Sequence, residues 1–417
     1  MKKAPSPFVS LMPIIVLVLL LFATIRTFGS DALSGGSQVS LLTTTAICIL
    51  IGMVFYKIPW KDYELAITNN IAGVATAIII LLIIGALSGI WMISGVVPTL
   101  IYYGMQIIHP SFFLASTCII CALISVMTGS SWTTIATIGI ALMGIGKAQG
   151  FEDGWIAGAI ISGAYFGDKI SPLSETTILA SSITDTPLFR HIRYMMITTV
   201  PSLVITLIIF TVAGFSHDAN NTQHIAEVAT ALNEKFHITP WLLIVPVATG
   251  ILIAKKVPSI VTLFLSTLLA AVFALIFQPD LLEEISGIAA SGFDSLFKGL
   301  MMTIYGETNL HTDNAVLTDL IATRGMSGMM NTIWLILCAM CFGGAMTASG
   351  MVGSITSIFV RFMKKTISVV SATVCSGLFL NLTTADQYIS IILTGNMFRD
   401  IYAKKGYESC LLSRTTE

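Results

Sequence analysis

Apolar stretches of near bilayer-spanning length constrain the fold of this chain more than any other feature. A membrane-spanning helix needs about 20 predominantly apolar residues. Only 10% of the 417 residues are charged and 55% are hydrophobic, whereas soluble domains carry about 25% charged residues. The sequence therefore predicts an all-α polytopic membrane protein. The predicted spans are 8–25, 39–56, 71–93, 111–127, 133–146, 194–213, 240–254, 258–277, 329–349 and 366–380.

The same sequence argues against three other classes of protein. The spans of a β-barrel alternate apolar and polar residues, and these stretches do not. The net charge of −1 gives no case for nucleic-acid binding through bulk charge. The pair Gly167-Asp168 lacks the preceding glycine that an intramembrane aspartyl protease needs, and the chain has no His-Glu-x-x-His for a zinc protease. We therefore expect a protein that is not an enzyme.

One polar block interrupts the apolar stretch that begins at Trp155. It reads Gly167-Asp168-Lys169-Ile170-Ser171-Pro172-Leu173-Ser174-Glu175-Thr176-Thr177. Each charge at mid-bilayer depth costs about 2.5–3.5 kcal/mol on insertion scales, so we expect a polar cavity or a bound ion to compensate. Pro172 prevents a continuous helix and frees backbone carbonyls. Residues 155–183 therefore either cross the membrane or, as we expect, form a re-entrant hairpin with the block at its tip.

Loop charges orient this arrangement in the membrane. Cationic residues are enriched in cytoplasmic loops, and placing every cationic cluster there is self-consistent. The N-terminus is then cytoplasmic, because Arg26-Thr27-Phe28 after the first apolar run offers no cleavage site for a signal peptide. The clusters are Lys2 and Lys3; Lys57 and Lys61; Arg190, His191 and Arg193; Lys255 and Lys256; and Arg361, Lys364 and Lys365.

The two halves of the chain share an order of features. In each half a glycine-broken helix precedes a hydroxyl-rich break and then a second polar segment, which is Ser413–Glu417 in the second half. Paired interrupted helices are typical of inverted-repeat transporters, so we predict two inverted structural repeats with broken helices or re-entrant hairpins at mid-membrane. No further span follows Glu417 in this sequence, so either the protein continues beyond this residue or the second repeat is shorter than the first. The predicted segments are N-terminal helices 1–57, a first transport repeat 58–213 with polar breaks at 128–134 and 167–177, an extracytoplasmic connector 214–239, linking helices 240–290 and a second repeat 291–417.

The breaks supply the oxygen ligands that a small cation needs. Where a helix ends inside the membrane, its last carbonyls lose their helical partners and carry partial negative charge. A proton and Na⁺ compete for the oxygens of a buried carboxylate, which would give obligatory exchange. We expect Na⁺ at Asp168 and Asp386, with Glu175 as a further acidic candidate, and no cofactor beyond the transported Na⁺ and H⁺. The hydroxyl and amide candidates are Thr128, Ser130, Ser131, Thr133, Thr134, Ser171, Ser174, Thr176, Thr177, Asn381, Thr383 and Thr384.

The block from Gly167 to Thr177 also resembles the signature of the NhaC-type Na⁺/H⁺ antiporters, members of the ion transporter superfamily. Thr128–Trp132 and Asn381–Asp386 resemble further stretches of that family. The resemblance covers nearly the whole chain and implies secondary transport in a bacterial inner membrane, with Na⁺ and H⁺ moving in opposite directions. The family pattern has aspartate at the position of Glu175, which keeps the charge but lengthens the arm.

Two alternatives stay open beside Na⁺/H⁺ exchange. One branch resembling this pattern exchanges malate with protons for lactate with Na⁺. In such an organic-anion exchanger Lys169 or Arg414 would pair with the anion. A channel is the other alternative, and net flux without a counter-ion would favour it. The expected partners are Na⁺, H⁺, the lipid bilayer and, in the first alternative, a small organic anion; a homodimer is also open.

Overall fold

The computed structural model describes residues 5–216, 222–255, 257–308, 310, 318, 321–355, 366–384 and 387–417. Within these ranges the chain is helical and has no β-strand, which confirms the predicted all-α class. The first ten helices, α1 to α10, are Pro7–Phe28, Gly36–Tyr56, Trp60–Ile93, Val96–Ile107, Pro110–Thr128, Ser131–Thr134, Ile140–Ala148, Asp153–Ile170, Glu175–Ile183 and Leu188–Ser216. The next nine, α11 to α19, are Thr222–Lys235, Ile244–Ala254, Ser259–Phe277, Pro279–Ser286, Phe293–Tyr305, Met330–Ala348, Thr366–Thr384, Gln387–Lys404 and Ser409–Thr416.

Seven helical segments in the described part of the chain are long and apolar enough to cross a membrane, by length and composition. The other three predicted spans differ. The span 133–146 is divided by a π-helical turn, Ile135–Gly139, and the apolar part of α17 covers only Ser368–Leu382. Residues 240–254 form a pair with the end of α11, bent by 95°, which brings the number to eight if the pair counts as one span. The seven are α1, α2, α3, α5, α10, α13 and Gly325–Ala348.

Helix ends follow local sequence signals. Ser6 caps α1 by accepting a hydrogen bond from the Val9 N–H, and Pro7 occupies the first turn, where its missing N–H costs nothing. The α5 helix begins in the same way, with His109 as the cap and Pro110 as the first residue. These caps explain why the predicted starts of the first and fourth spans lie within one residue of the observed ones.

The cationic cluster around residue 190 is placed differently from the prediction. Arg190, His191 and Arg193 belong to the first turns of α10 rather than to a loop before a span. The His191 side chain is fully buried, so it is not a loop charge. The helix begins earlier than hydropathy indicates because its first two turns mix charged and apolar residues.

The chain divides into two compact units, and each has its own core. Unit 1 contains residues 1–78, 178–194 and 330–417. Its larger core cluster includes the buried side chains of Tyr63 and Phe342. Unit 2 contains residues 79–177 and 195–329, and its core includes the buried Trp91. The polar breaks of the first half, 128–134 and 167–177, lie in unit 2.

A Ser-Gly turn ends a long helix in each half. Ser94-Gly95 follows α3 and Ser349-Gly350 follows α16, with glycine φ angles of +83° and +71°. This left-handed conformation favours glycine. In each turn the glycine N–H donates to the carbonyl three residues earlier, Met92 at 3.1 Å and Thr347 at 3.0 Å. The Ser-Gly turns that end these two helices therefore have the same local geometry.

A second turn is also repeated. At Gly150 and Gly406 the glycine N–H donates to the carbonyl three residues back and the next N–H to the carbonyl five residues back, at 2.9–3.1 Å. This is the Schellman arrangement. Glu152 and Glu408 then precede α8 and α19 with almost equal backbone angles. This match aligns Ser413–Glu417 with the first turns of α8 rather than with the Asp168 block. Ser413 to Thr416 are helical, so the predicted second polar break at Ser413 is wrong.

Candidate cation-binding site

The site is built where α8 packs against α5. Gly163 and Gly167 lie four residues apart, hence on one face of α8. A Cβ atom at Gly163 would overlap the Cys118 carbonyl oxygen, and one at Gly167 would overlap the Ala122 carbonyl oxygen. Small residues at this spacing let two membrane helices approach closely. The close approach brings Asp168, which follows Gly167, to the C-terminal end of α5.

The first break is a sharp turn at that end. Gly129 has φ of +65° and ends α5, and Ser130 caps the short α6 by accepting a hydrogen bond from the Thr133 N–H at 3.2 Å. The Thr128 hydroxyl lies 3.2 Å from the Ser130 carbonyl. The predicted break at 128–134 is thus narrower than expected: two residues are non-helical, and Ser131 to Thr134 already form α6.

The second break covers residues 171–174, between α8 and α9. The Ser171 hydroxyl donates to the Val126 carbonyl on α5 at 2.8 Å, and the Leu173 N–H donates back to that hydroxyl at 3.2 Å. Leu173 packs closely against Gly129: a Cβ atom added to Gly129 would lie 2.6 Å from the backbone of Leu173. The two breaks therefore touch. Gly167 to Ile170 and Glu175 to Thr177 are helical, which corrects the predicted limits of 167–177.

Asp168 is the acidic group that the breaks enclose. Its side chain is partly buried, and the Ser131 hydroxyl donates to Oδ2 at 3.0 Å. The Ser131 N–H and the Ser174 hydroxyl also bond to this carboxylate, and the Lys169 charge lies near it. Ser131 and Ser174 are 4% and 1% exposed, so these donors are held away from bulk water. The geometry joins one carboxylate to hydroxyls from both breaks.

Other predicted residues surround this cluster. Thr177 bonds the carbonyls of Asp168 and Lys169 at 3.4 Å each, and the Ser174 and Thr176 hydroxyls lie 3.1 Å apart. The Thr133 hydroxyl bonds Ser130 at 3.0 Å. Glu175, the first residue of α9, has an exposed side chain and so lies outside the buried set. The structure thus brings Asp168 together with the predicted hydroxyls, while the side chain of Glu175 is exposed.

The third predicted break is different. Asn381, Thr383 and Thr384 belong to the end of α17, so their assignment to a break is wrong as far as the backbone is concerned, and the Asn381 side chain is exposed. Asp386 lies outside the described residues. Arg414 is helical in α19, and its guanidinium stacks on the Tyr194 ring at 4.8 Å. The predicted anion partner Arg414 therefore has an aromatic neighbour within unit 1.

Two residues near the site were not predicted from the sequence. Ser125 lies one turn before the first break and donates to the Ala164 carbonyl on α8 at 2.5 Å. Ser259 accepts from the Thr133 hydroxyl at 2.9 Å. The signal for Ser125 was its spacing of three residues from Thr128, which places both on one face of a helix. Ser259 had no such signal, because its approach to α6 depends on the tertiary fold.

The chemistry of the site is that of hard oxygen donors. A carboxylate, several hydroxyls and the carbonyls at two helix ends suit a small hard cation rather than a soft metal. Within the described ranges, no group of three or more His, Cys, Asp or Glu side chains could hold a metal ion.

Comparison with known proteins gives an independent result. The model of the Na⁺/H⁺ antiporter family matches residues 163–417, which include α8 from Gly163 onward, the second break and the whole second half of the chain. The first break precedes the matched region. More than half of the chain is therefore covered by one family model.

Individual relatives cover more of the chain. It is 35% identical to the Na⁺/H⁺ antiporter NhaC of Bacillus subtilis, over 90% of this chain and 80% of that protein. It is 36% identical to the malate-2H⁺/Na⁺-lactate antiporter of the same organism, over 91% of this chain and 78% of that protein. NhaC of Alkalihalophilus pseudofirmus is 36% identical, with 89% and 78% covered. The chain has apolar helices of spanning length, one family model matches more than half of its residues, and the relatives align with about nine tenths of it. It is therefore a multi-pass membrane protein that belongs to the Na⁺/H⁺ antiporter family.

Proposed function

We propose that this protein exchanges Na⁺ for H⁺ across the bacterial plasma membrane, and that Asp168 is the group for which the two ions compete. The observation that carries this proposal is the carboxylate held between two touching helix breaks by the Ser131 and Ser174 hydroxyls. The names of the two NhaC relatives support the same exchange. The cytoplasmic N-terminus and a role of Asp386 in ion binding belong to the same proposal.

Competition at one carboxylate couples the two fluxes. When Asp168 is ionised, its oxygens and the nearby hydroxyl oxygens form a ligand set for Na⁺. A proton on the carboxylate removes the charge and turns one oxygen into a donor, so Na⁺ leaves. An empty, charged site is costly to move through the membrane. The protein therefore changes its access more readily when the site is loaded with either ion, which gives exchange rather than leak.

The substitution Asp168→Asn tests the proposal. The amide keeps the shape but lacks the charge, so it can neither carry the proton nor neutralise Na⁺. We expect Na⁺-driven proton movement in proteoliposomes to fall by about thirtyfold or more, the equivalent of roughly 2 kcal/mol for a charged ligand. The measurement is dequenching of a pH-sensitive dye on addition of Na⁺, Li⁺ or K⁺ to acidified vesicles.

Asp153→Asn is the matched control, since it removes an acid from the first turn of the same helix. Asp153 pairs with Lys147 at 3.2 Å and is 67% exposed, so its loss should leave exchange unchanged. Intact exchange in the Asp168→Asn protein, with both variants equally folded in detergent, would remove Asp168 from the site.

Exchange of small organic anions coupled to the same ions is the second candidate. It is favoured by the malate and lactate relative, which is as similar to this chain as the NhaC proteins are. Lys169, which lies next to the Asp168 carboxylate, would pair with the anion's carboxylate. Counterflow of labelled malate or lactate into proteoliposomes distinguishes the two candidates. Uptake that depends on lactate or malate inside would favour the anion exchanger, and Na⁺-driven proton movement with neither anion present would favour the simple antiporter.

A further inference from the structure

A buried histidine in unit 1 has ionisable and hydroxyl partners on both ring nitrogens. His191 Nε2 lies 2.7 Å from Glu417 Oε2, and Nδ1 lies 2.9 Å from the Ser413 hydroxyl oxygen. The side chains of His191 and Glu417 are both 0% exposed, and Ser413 is also fully buried. The three residues join the start of α10 to the end of α19. They are called the histidine cluster below.

The net charge of a buried histidine–glutamate pair depends on the number of protons that it holds. With imidazole neutral and Glu417 ionised, the pair carries one negative charge, and neither side chain is exposed. One added proton brings the net charge of the pair to zero, either as imidazolium with carboxylate or as imidazole with carboxylic acid. Protonation therefore changes the net charge of a buried pair in unit 1.

The Ser413 hydroxyl can serve both states. It lies within hydrogen-bond distance of His191 Nδ1 and also of the Cys410 carbonyl, at 3.1 Å. Its single proton can reach only one of them at a time. In the anionic state Nε2–H donates to Glu417, and Nδ1 accepts from Ser413.

After uptake of one proton, Nδ1 carries hydrogen in either protonated form. It then donates to the Ser413 oxygen, whose own hydrogen rotates to the Cys410 carbonyl. Every polar atom of the histidine cluster keeps a hydrogen-bond partner in this change. The cluster can therefore exist in two states that differ by one proton.

We propose that His191, Ser413 and Glu417 form a second proton-binding site of this protein, separate from the Asp168 carboxylate. The bond that forms on proton uptake is Nδ1–H; in the carboxylic acid form the Nε2–H bond also breaks, and its proton forms the O–H bond of Glu417. The proton comes from water and returns to water, so no other reactant is needed. That this site contributes to ion exchange rests on the proposed function; that it binds a proton does not.

Several of the charged and titratable groups around the histidine cluster have partners of their own. On α10 itself, Arg190 pairs with Glu408 at 3.1 Å, with both side chains more than half exposed. On α19, Arg414 stacks on Tyr194. From α18, the phenol of Tyr402 bonds the Thr373 hydroxyl of α17 at 3.1 Å. The remaining charged groups on these elements are Arg193 on α10, Arg399, Asp400 and Lys404 on α18, with Arg399 paired to Asp185 before α10.

The proton count can be read directly by NMR. The full chain is labelled with ¹⁵N-histidine, reconstituted in lipid nanodiscs and titrated, and the His191 signals are assigned by their loss in His191→Gln. We expect the Nδ1 signal to move from the position of an unprotonated ring nitrogen at alkaline pH to that of a protonated one at acidic pH. An Nδ1 signal that stays in one state at every pH at which the protein is folded would overturn the proposal.

Exchange assays test the contribution to transport. Both Glu417→Gln and Ser413→Ala should flatten the pH profile of Na⁺-driven proton release, the second while keeping the histidine and the acid in place. Glu408→Gln is the control, since it removes an exposed carboxylate beside the same helix and should keep the wild-type profile. Unchanged profiles in both cluster variants would refute the coupling. If the wild-type protein shows no exchange at all, the proposed function fails, and the NMR titration still decides the proton site.

Discussion

At the residue scale, the candidate site shows which side chains sequence patterns can place and which they cannot. Asp168 and Ser131 were predicted from two separate polar breaks, and the structure brings them within 3.0 Å. Glu175 was grouped with Asp168 by its position in the same block, yet its side chain is exposed, whereas the side chain of Ser174, the last residue of the second break, is buried. His191 was read as a loop cation since the residues on either side of it include arginines. Its burial depends on α19, more than 200 residues later, and no local pattern carries that information.

The Ser131 hydroxyl provides a sharp test at this scale. In Ser131→Ala the carboxylate of Asp168 loses a direct donor and Na⁺ loses one hydroxyl oxygen. A hydrogen bond to a charged group contributes about 1.5 kcal/mol, so we expect the apparent affinity for Na⁺ to fall about tenfold. The measurement is the Na⁺ concentration that gives half-maximal proton release. Ser182→Ala is the control, because that exposed hydroxyl donates to the Ile178 carbonyl of its own helix; equal changes in both variants would contradict a specific role for Ser131.

At the scale of elements, hydropathy predicted the spans whose apolar residues are continuous and failed where packing interrupts them. The α1 and α2 helices agree with prediction to within three residues at each end. By contrast, the third span was predicted to begin at residue 71, whereas the 34-residue α3 begins at Trp60. The break after α5 was predicted because glycine and hydroxyl residues cluster there. The packing of α8 on α5 was not predicted, although the glycine spacing that permits it is visible in the sequence.

Two glycines of α8 test that packing. Gly163→Ala would push a methyl group into the Cys118 carbonyl, so α5 and α8 must separate or shift. Such overpacking costs about 1–3 kcal/mol, and we expect a lower midpoint of thermal unfolding together with reduced exchange, because Asp168 depends on this contact for its position. Gly154→Ala lies on the same helix with open space around it, so it should not lower the midpoint. A Gly163→Ala protein as stable and active as Gly154→Ala would show that the close approach is unimportant.

At the scale of the whole molecule, two sequence-based expectations compete. A re-entrant hairpin at 155–183 requires Lys147 and Arg190 on the same side of the membrane. Inverted repeats require the equivalent turns at Gly150 and Gly406 on opposite sides. Since Arg190 contacts Glu408 at 3.1 Å, the Gly406 turn shares its side with Arg190. The hairpin and the inverted repeats therefore exclude each other. If the repeats are inverted, α8 and α9 form one broken helix that crosses the membrane once.

We expect the inverted arrangement, because both turns have the glycine N–H bond to the carbonyl three residues back and the next N–H bond to the carbonyl five residues back, and each leads into a helix through a glutamate. The test uses Glu152→Cys and Glu408→Cys, two exposed equivalent positions, each in a background whose seven native cysteines have been replaced and whose exchange activity is retained. A membrane-impermeant maleimide should label one variant in intact cells and the other only in everted vesicles, with detergent-permeabilised samples showing that both thiols react. Labelling of both from the same side would instead support the hairpin and exclude inversion, because an inverted repeat must place equivalent residues on opposite faces of the bilayer.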